Sequence, residues 1–165
     1  VYLKRYRRYI KKENSSKNKM GEKIGVRPCA ILIENNKVLC ISCKYEDGEY
    51  FLFPGGGLEA GETMEEAAIR EMFEETGLIV KSKKLIYIND WIKDRKTNTR
   101  VLNVFFLVER IGGQIIQGEK DGGKVKEIIW VPLVDLHKVD FRPKYLADRL
   151  PEDYKRKFTE VPYFN

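Results

Sequence analysis

The chain has 165 residues, enough for one domain with a sizeable core. Hydrophobic residues make up 42% and charged residues 34%, and no run of 18 or more apolar residues offers a membrane-spanning helix. The formal net charge of +6 belongs almost wholly to residues 1–19, so it does not by itself mark the remaining chain as a binder of nucleic acid or membrane.

Residues 1–19 read VYLKRYRRYIKKENSSKNK, with eight Lys or Arg, one Glu, and Tyr2, Tyr6 and Tyr9 between them. The segment lacks the long apolar centre of a secretory signal. It reads as a basic tail, disordered or not native, ahead of a single domain over residues 20–165 that begins at Met20. The competing reading is an arm that touches RNA, DNA or an acidic membrane.

Val26 to Ile33 is apolar and predicts a strand, with Pro28 placing it at a sheet edge or within the strand's first residues. Glu34-Asn35-Asn36 is a turn signal, and Lys37 to Cys43 is the returning arm of the hairpin. Lys44 to Tyr50 reads as a polar loop, and Phe51-Leu52-Phe53 as a short core strand. Cys40 and Cys43, three apart on a strand, point to opposite faces. With Cys29 they give an odd count, no disulfide framework and, since only His137 could readily join them, no convincing zinc site. Free thiols suit a reducing, cytoplasmic setting.

Pro54, Gly55, Gly56, Gly57 and Gly61 fall within eight residues and predict a loop. A helix follows from Met64 to Glu75, with Thr63 as N-cap, Glu66 at the capping-box position and Gly77 as the stop. Glu71, Glu74 and Glu75 are three and four apart, which places three carboxylates on adjoining positions of one side. Ala68, Met72, Ile69 and Phe73 form an apolar stripe on the other. Carboxylates this close repel unless they face water or a cation sits among them, and hard divalent ions favour such oxygens. A glycine-rich loop just ahead can bring backbone amides close to phosphate.

Beyond the helix, Leu85 to Ile92 predicts a strand and Lys93 to Thr99 a charged hairpin loop. Arg100 to Glu109 is the strongest strand signal, nearly continuous in apolar residues and so buried on both faces. Gln117 to Lys124 reads as a flexible loop and Val125 to Val131 as the last strand. Pro132 opens a short helix, and Phe141 to Lys157 is a helical region interrupted near Pro151. Strands alternate with two main helical regions without regular βαβ units, which gives an α+β, or mixed α/β, class.

The stretch Gly56 to Leu78 resembles the Nudix box, the signature of the Nudix hydrolases. Gly56, Glu62, Arg70, Glu71, Glu74, Glu75 and Gly77 stand at its fixed positions, and Met72 and Leu78 at its bulky aliphatic ones. The resemblance implies an α/β/α sandwich with a central mixed sheet, the signature helix on one side and the C-terminal helix on the other. It implies Mg²⁺- or Mn²⁺-dependent hydrolysis of the diphosphate linkage in a nucleoside diphosphate derivative. The substrate class covers nucleotides, nucleotide sugars and ADP-ribose-like compounds. An RNA 5′-end pyrophosphohydrolase and a catalytically silent nucleotide-binding domain are the alternatives.

By the same resemblance, Glu71, Glu74 and Glu75 bind metal, with a carbonyl from Gly55. Glu71 or Glu75 positions or deprotonates water, Arg70 orients a carboxylate, Glu62 braces the loop, and Gly56 and Gly57 let backbone approach phosphate. A further carboxylate outside the box would be Glu119, ahead of Glu127 and Asp121. Tyr45, Tyr50, Tyr87, Trp91 and Tyr145 are candidates to stack on the base. The partner expected is a small nucleotide-type substrate, with a homodimer compatible and no membrane.

Overall fold

Two asparagines set the first corner of the sheet. The computed structural model describes residues 24–45, 48–94, 99–116 and 126–164. Strand β1 (Ile24–Glu34) turns into β2 (Lys37–Tyr45) through Asn35 and Asn36, with φ of 50° and 59°. Asparagine enters this left-handed region more easily than other non-glycine residues, and a consecutive pair suits a tight hairpin. β3 (Gly48–Leu52) pairs antiparallel with β2, and β6 (Lys126–Pro132) pairs with the other edge of β2. β4 (Leu78–Asp94) and β5 (Thr99–Gly113) make a long antiparallel pair, β5 runs parallel to β1, and β7 (Tyr163–Phe164) lies on β4. The result is one mixed seven-stranded sheet in the order β3-β2-β1-β5-β4-β7, with β6 beside β2.

Side-chain alternation divides the core into two layers. Ala30, Leu32, Leu39, Val104, Phe106 and Val108 face one side, where Ala68 and Met72 of helix α1 (Met64–Thr76) cover them. Cys29, Ile31, Val38, Cys40 and Phe105 face the other. There, Leu133 and Leu136 of a 3-10 helix (Leu133–Lys138) and Leu146 and Leu150 of α2 (Tyr145–Lys155) close the layer. The α/β/α sandwich and the opposite placement of the two helices agree with expectation. Phe53 is buried among Phe105 and Phe141 as expected of a core residue, but it lies one residue past β3 and not on the strand. All three cysteines are buried free thiols, and His137 is exposed on the 3-10 helix.

Several boundaries differ from the sequence reading. β4 begins at Leu78, directly after the α1 stop, and not at Leu85. The run Lys81-Ser82-Lys83-Lys84 looks like a loop because of its charge, yet it lies on a strand where Lys81 and Lys83 both reach Glu109 of β5. The region after Lys44 is a strand hairpin and not a long polar loop. The C-terminal helix starts at Tyr145 and continues through Pro151 without a break.

Phe73 does not belong to the buried stripe. The covered positions are Ala68, Met72 and Thr76, each four apart, with Ala67 beside them, whereas Phe73 lies one residue further around and is 52% exposed. Pro28 is in the middle of β1 and not at its start. Its carbonyl, like that of Val26, accepts from the glycine loop, so its missing N–H lies on the side of β1 away from β5 and removes no bond from the β1–β5 ladder.

The α1 caps match their sequence signals. Glu66 N–H donates to Thr63 Oγ1 at 3.2 Å, and Thr63 N–H donates to the Glu66 carboxylate at 2.8 Å. Thr63→Ala is therefore expected to cost about 1 kcal/mol of stability, measurable by denaturant unfolding with an unchanged slope. At the far end Gly77, with φ 77°, donates to Phe73 O at 2.8 Å, a conformation that would strain a residue with a side chain.

Candidate active site

The glycine loop behaves as an extra partner strand for β1. Ala30 N–H donates to Pro54 O at 2.9 Å, Gly56 N–H to Pro28 O at 3.3 Å, and Leu58 N–H to Val26 O at 3.2 Å. This ladder brings Gly55 and Gly56 against the side of α1 that carries the glutamates. Gly55 N–H donates to Glu75 Oε2 at 2.9 Å. A Cβ on Gly56 would lie 2.0 Å from Glu71 Oε1, so the backbone approach to that carboxylate depends on glycine.

Arg70 gathers the acidic groups. Its Nε and Nη2 donate to the two carboxylate oxygens of Glu62 at 3.0 and 2.8 Å, and Nη1 donates to Glu71 at 2.9 Å and Glu74 at 3.2 Å. Nη2 also reaches Gly57 O at 3.1 Å. Planar guanidinium geometry suits this many acceptors, which lysine could not serve in the same way. Glu62 additionally accepts from Glu59 N–H at 2.8 Å. The Arg70 pair and this amide hold the Glu62 carboxyl below the usual range. Glu62 thus ties the loop to α1 through Glu59 and Arg70.

Glu71 behaves oppositely. Burial pushes its carboxyl above the ordinary value, the negative charges of Glu75 and Glu74 add to this, and the hydrogen bond from Arg70 only partly offsets it. Because the folded-state value is raised, protonation stabilises the metal-free fold. That stabilisation is full below the unfolded value and is lost as pH rises through the raised folded value. Metal-free melting of the parent is therefore expected to fall across this window relative to Glu71→Gln. Equal pH profiles for the two proteins would refute the assignment.

The donor chemistry fits a hard divalent cation: three carboxylates on one helix face, one of them raised in proton affinity by its neighbours. Among the described residues no three side chains converge tightly enough to enclose an ion as they stand. Arg70 draws Glu71 and Glu74, while the Gly55 amide draws Glu75. The Gly55 carbonyl, inferred as a metal ligand, accepts from Arg27 Nη2 at 2.6 Å. Glu119 and Asp121 lie outside the described residues. Glu127 is exposed on β6 and bonded to Lys44 at 2.5 Å.

On the α2 side of the sheet lies a cavity of about 1160 Å³, lined by Phe53 just ahead of the glycine loop and by Arg27, which bonds to Gly55. Of the five base-stacking candidates, Tyr50, Trp91 and Tyr145 line it. Tyr87 does not: it is fully buried beneath α2, and its hydroxyl donates to Asp153 at 3.0 Å, so it is core. The side chain of Tyr45 lies outside the described residues. The sequence reading missed Arg27, Asn89, Asn103 and Arg142, which also line the cavity. Asn103 Nδ2 donates to Asn89 Oδ1 at 3.2 Å, and the Arg142 guanidinium lies 4.3 Å from the Tyr50 ring centre. No short motif announces these residues; only strand pairing brings Asn89 opposite Asn103.

The NUDIX domain family model matches residues 24–150. The chain is similar to an ADP-ribose pyrophosphatase of Methanocaldococcus jannaschii, at 35% identity over 94% of this chain and 88% of the relative. It is also similar to an RNA pyrophosphohydrolase of Wolbachia sp. subsp. Brugia malayi (strain TRS), at 37% identity, though only over 38% of this chain and 44% of that relative. Among solved structures, the NUDIX hydrolase from Nitrosomonas europaea superposes with a TM-score of 0.63 at 23% identity, over 82% of this chain and 91% of that one.

Proposed function

The chain belongs to the Nudix hydrolase family, a pyrophosphohydrolase, and on that premise we propose that it cleaves the diphosphate bridge of an ADP-ribose-like substrate with the help of Mg²⁺ or Mn²⁺. One observation carries the reading: Gly55 joins the cavity to the carboxylates, with its N–H on Glu75 and its carbonyl on the cavity-lining Arg27. A substrate whose nucleoside fills the cavity then has its phosphates at the acidic side of α1. Similarity over nearly the whole length to an ADP-ribose pyrophosphatase supports the choice of substrate.

Glu71, Glu74 and Glu75 would hold the cation, which when bound neutralises phosphate charge and acidifies water. The protein's own residues do the rest. Glu71, with its raised proton affinity, is suited to take the proton of the attacking water. The Gly55 amide fixes the Glu75 carboxylate, and Arg70 keeps Glu71 and Glu74 on one side of the helix. Tyr50, Trp91 or Tyr145 offers an aromatic face to the base.

A substrate panel tests this. ADP-ribose, nucleotide sugars, oxidised nucleoside triphosphates, dinucleoside polyphosphates and 5′-triphosphorylated RNA are each supplied with Mg²⁺, with Mn²⁺ or with chelator. The expected result is conversion of ADP-ribose to AMP and ribose 5-phosphate only when metal is present. Preferred turnover of the RNA, or turnover undiminished by chelator, would overturn it.

A further inference from the structure

We propose that Arg27 is the phosphate clamp of the cavity: its guanidinium binds the phosphate that adjoins the nucleoside and sets that phosphate beside Gly55. This inference rests on the nucleotide reading above, but not on which base or sugar the substrate carries.

The argument begins from missing counter-charge. Arg27 is half-buried on β1 and lines the cavity. Its Nη1 donates to Cys29 Sγ at 2.8 Å, and its Nη2 donates to Gly55 O at 2.6 Å and more distantly to Phe53 O at 3.4 Å. None of these acceptors is a carboxylate: two are backbone carbonyls and the third is the buried, free Cys29 thiol. Among the described residues no carboxylate pairs with Arg27. A half-buried cation held only by carbonyls and a thiol retains unmet capacity for an anion.

The other cations around the cavity are differently placed. Arg142 pairs with Asp140 at 2.8 Å and lies over Tyr50, and Lys144 sits in the same segment. Arg27 is the one bonded to the catalytic loop. Gly55 is thereby bracketed: positive guanidinium at its carbonyl, negative Glu75 at its amide. A phosphate placed on Arg27 from the cavity side is within one residue's span of the acidic groups, while its nucleoside remains in the cavity. The guanidinium also offsets the repulsion a phosphate meets on approaching three carboxylates.

The test compares AMP with adenosine, neither of which can be hydrolysed at a diphosphate bridge. Affinities are measured by calorimetry in saturating Mg²⁺ for the parent, Arg27→Met and Arg27→Lys. The expected result is that the AMP-over-adenosine preference of the parent falls about 10- to 100-fold in Arg27→Met, the scale of one charge-assisted hydrogen bond. Arg27→Lys keeps part of it, and adenosine affinity stays unchanged in both. Melting of each variant serves as the folding control, and Arg27→Lys alone decides the matter if Arg27→Met does not fold. An unchanged preference in the folded variants would overturn the proposal and leave Arg27 as a brace for Gly55. If the substrate panel selects a uridine sugar, UMP and uridine replace the adenine pair, so an error in the substrate leaves this test intact.

Discussion

Glu75→Gln is expected to lower metal-dependent turnover by about 100-fold or more, while the metal-free fold melts as the parent does. The scale is that of removing one group that stabilises charge at a reacting centre. Glutamine keeps the length of glutamate and an oxygen that can still accept from the Gly55 amide, so the loop contact survives. What disappears is the negative charge that makes the side chain a strong ligand for a hard cation. Loss of that charge also relieves Glu71, whose carboxyl Glu75 helps to push up, so metal-free stability holds or rises slightly. Turnover is followed across Mg²⁺ and Mn²⁺ titrations, with metal-free melting alongside. Parent-like activity at low metal would remove Glu75 from the ligand set, and a collapse in melting would make it a structural residue.

Gly56→Ala is expected to inactivate the protein by a different route, again by about 100-fold or more. The new methyl would fall 2.0 Å from Glu71 Oε1 and 2.3 Å from its Cδ, distances no packing tolerates. The side chain of Glu71 must therefore swing away. Its tip is flexible, so the fold loses far less than it would from a backbone clash, and melting drops by only a few degrees. The two positions are thus coupled. In a Glu71→Ala background the three atoms nearest the methyl are gone, and Gly56→Ala should add little further loss. Additive losses would show that the glycine serves something other than the carboxylate.

The local features of the site were legible because each depends on neighbours in sequence. Thr63, Glu66 and Gly77 bound α1 where their cap chemistry says, and Arg70 and Glu74, four apart on the helix, pair as helix geometry allows. The two-sided burial of β5 was likewise written in its apolar run. What could not be read depends on pairing between distant segments. Arg27 acquires its position from a loop 28 residues away, and Asn89 meets Asn103 only across the β4–β5 ladder. Asp90 is held by Arg100 and by the hydroxyl of Tyr163, 73 residues on. Tyr87 and Tyr145 look alike in sequence, yet one is sealed in the core and the other faces the cavity. The charge of Lys81 to Lys84 does not announce a strand, yet β4 carries these lysines opposite β5.

Pro28 has a further consequence for what happens when the glycine loop lifts away. The side of β1 that the loop covers would then stand bare, offering the carbonyls of Val26 and Pro28 and the amide of Ala30. Bare strand edges recruit strands from other molecules, and that is a route to aggregation. Proline presents no N–H at the centre of this edge, so an incoming strand would find its ladder interrupted there. The same residue that spares the β1–β5 ladder would therefore guard that side of β1 if the loop came away. Replacing it with valine should leave the closed protein intact but shorten its lifetime in concentrated solution, as followed by light scattering near the onset of melting.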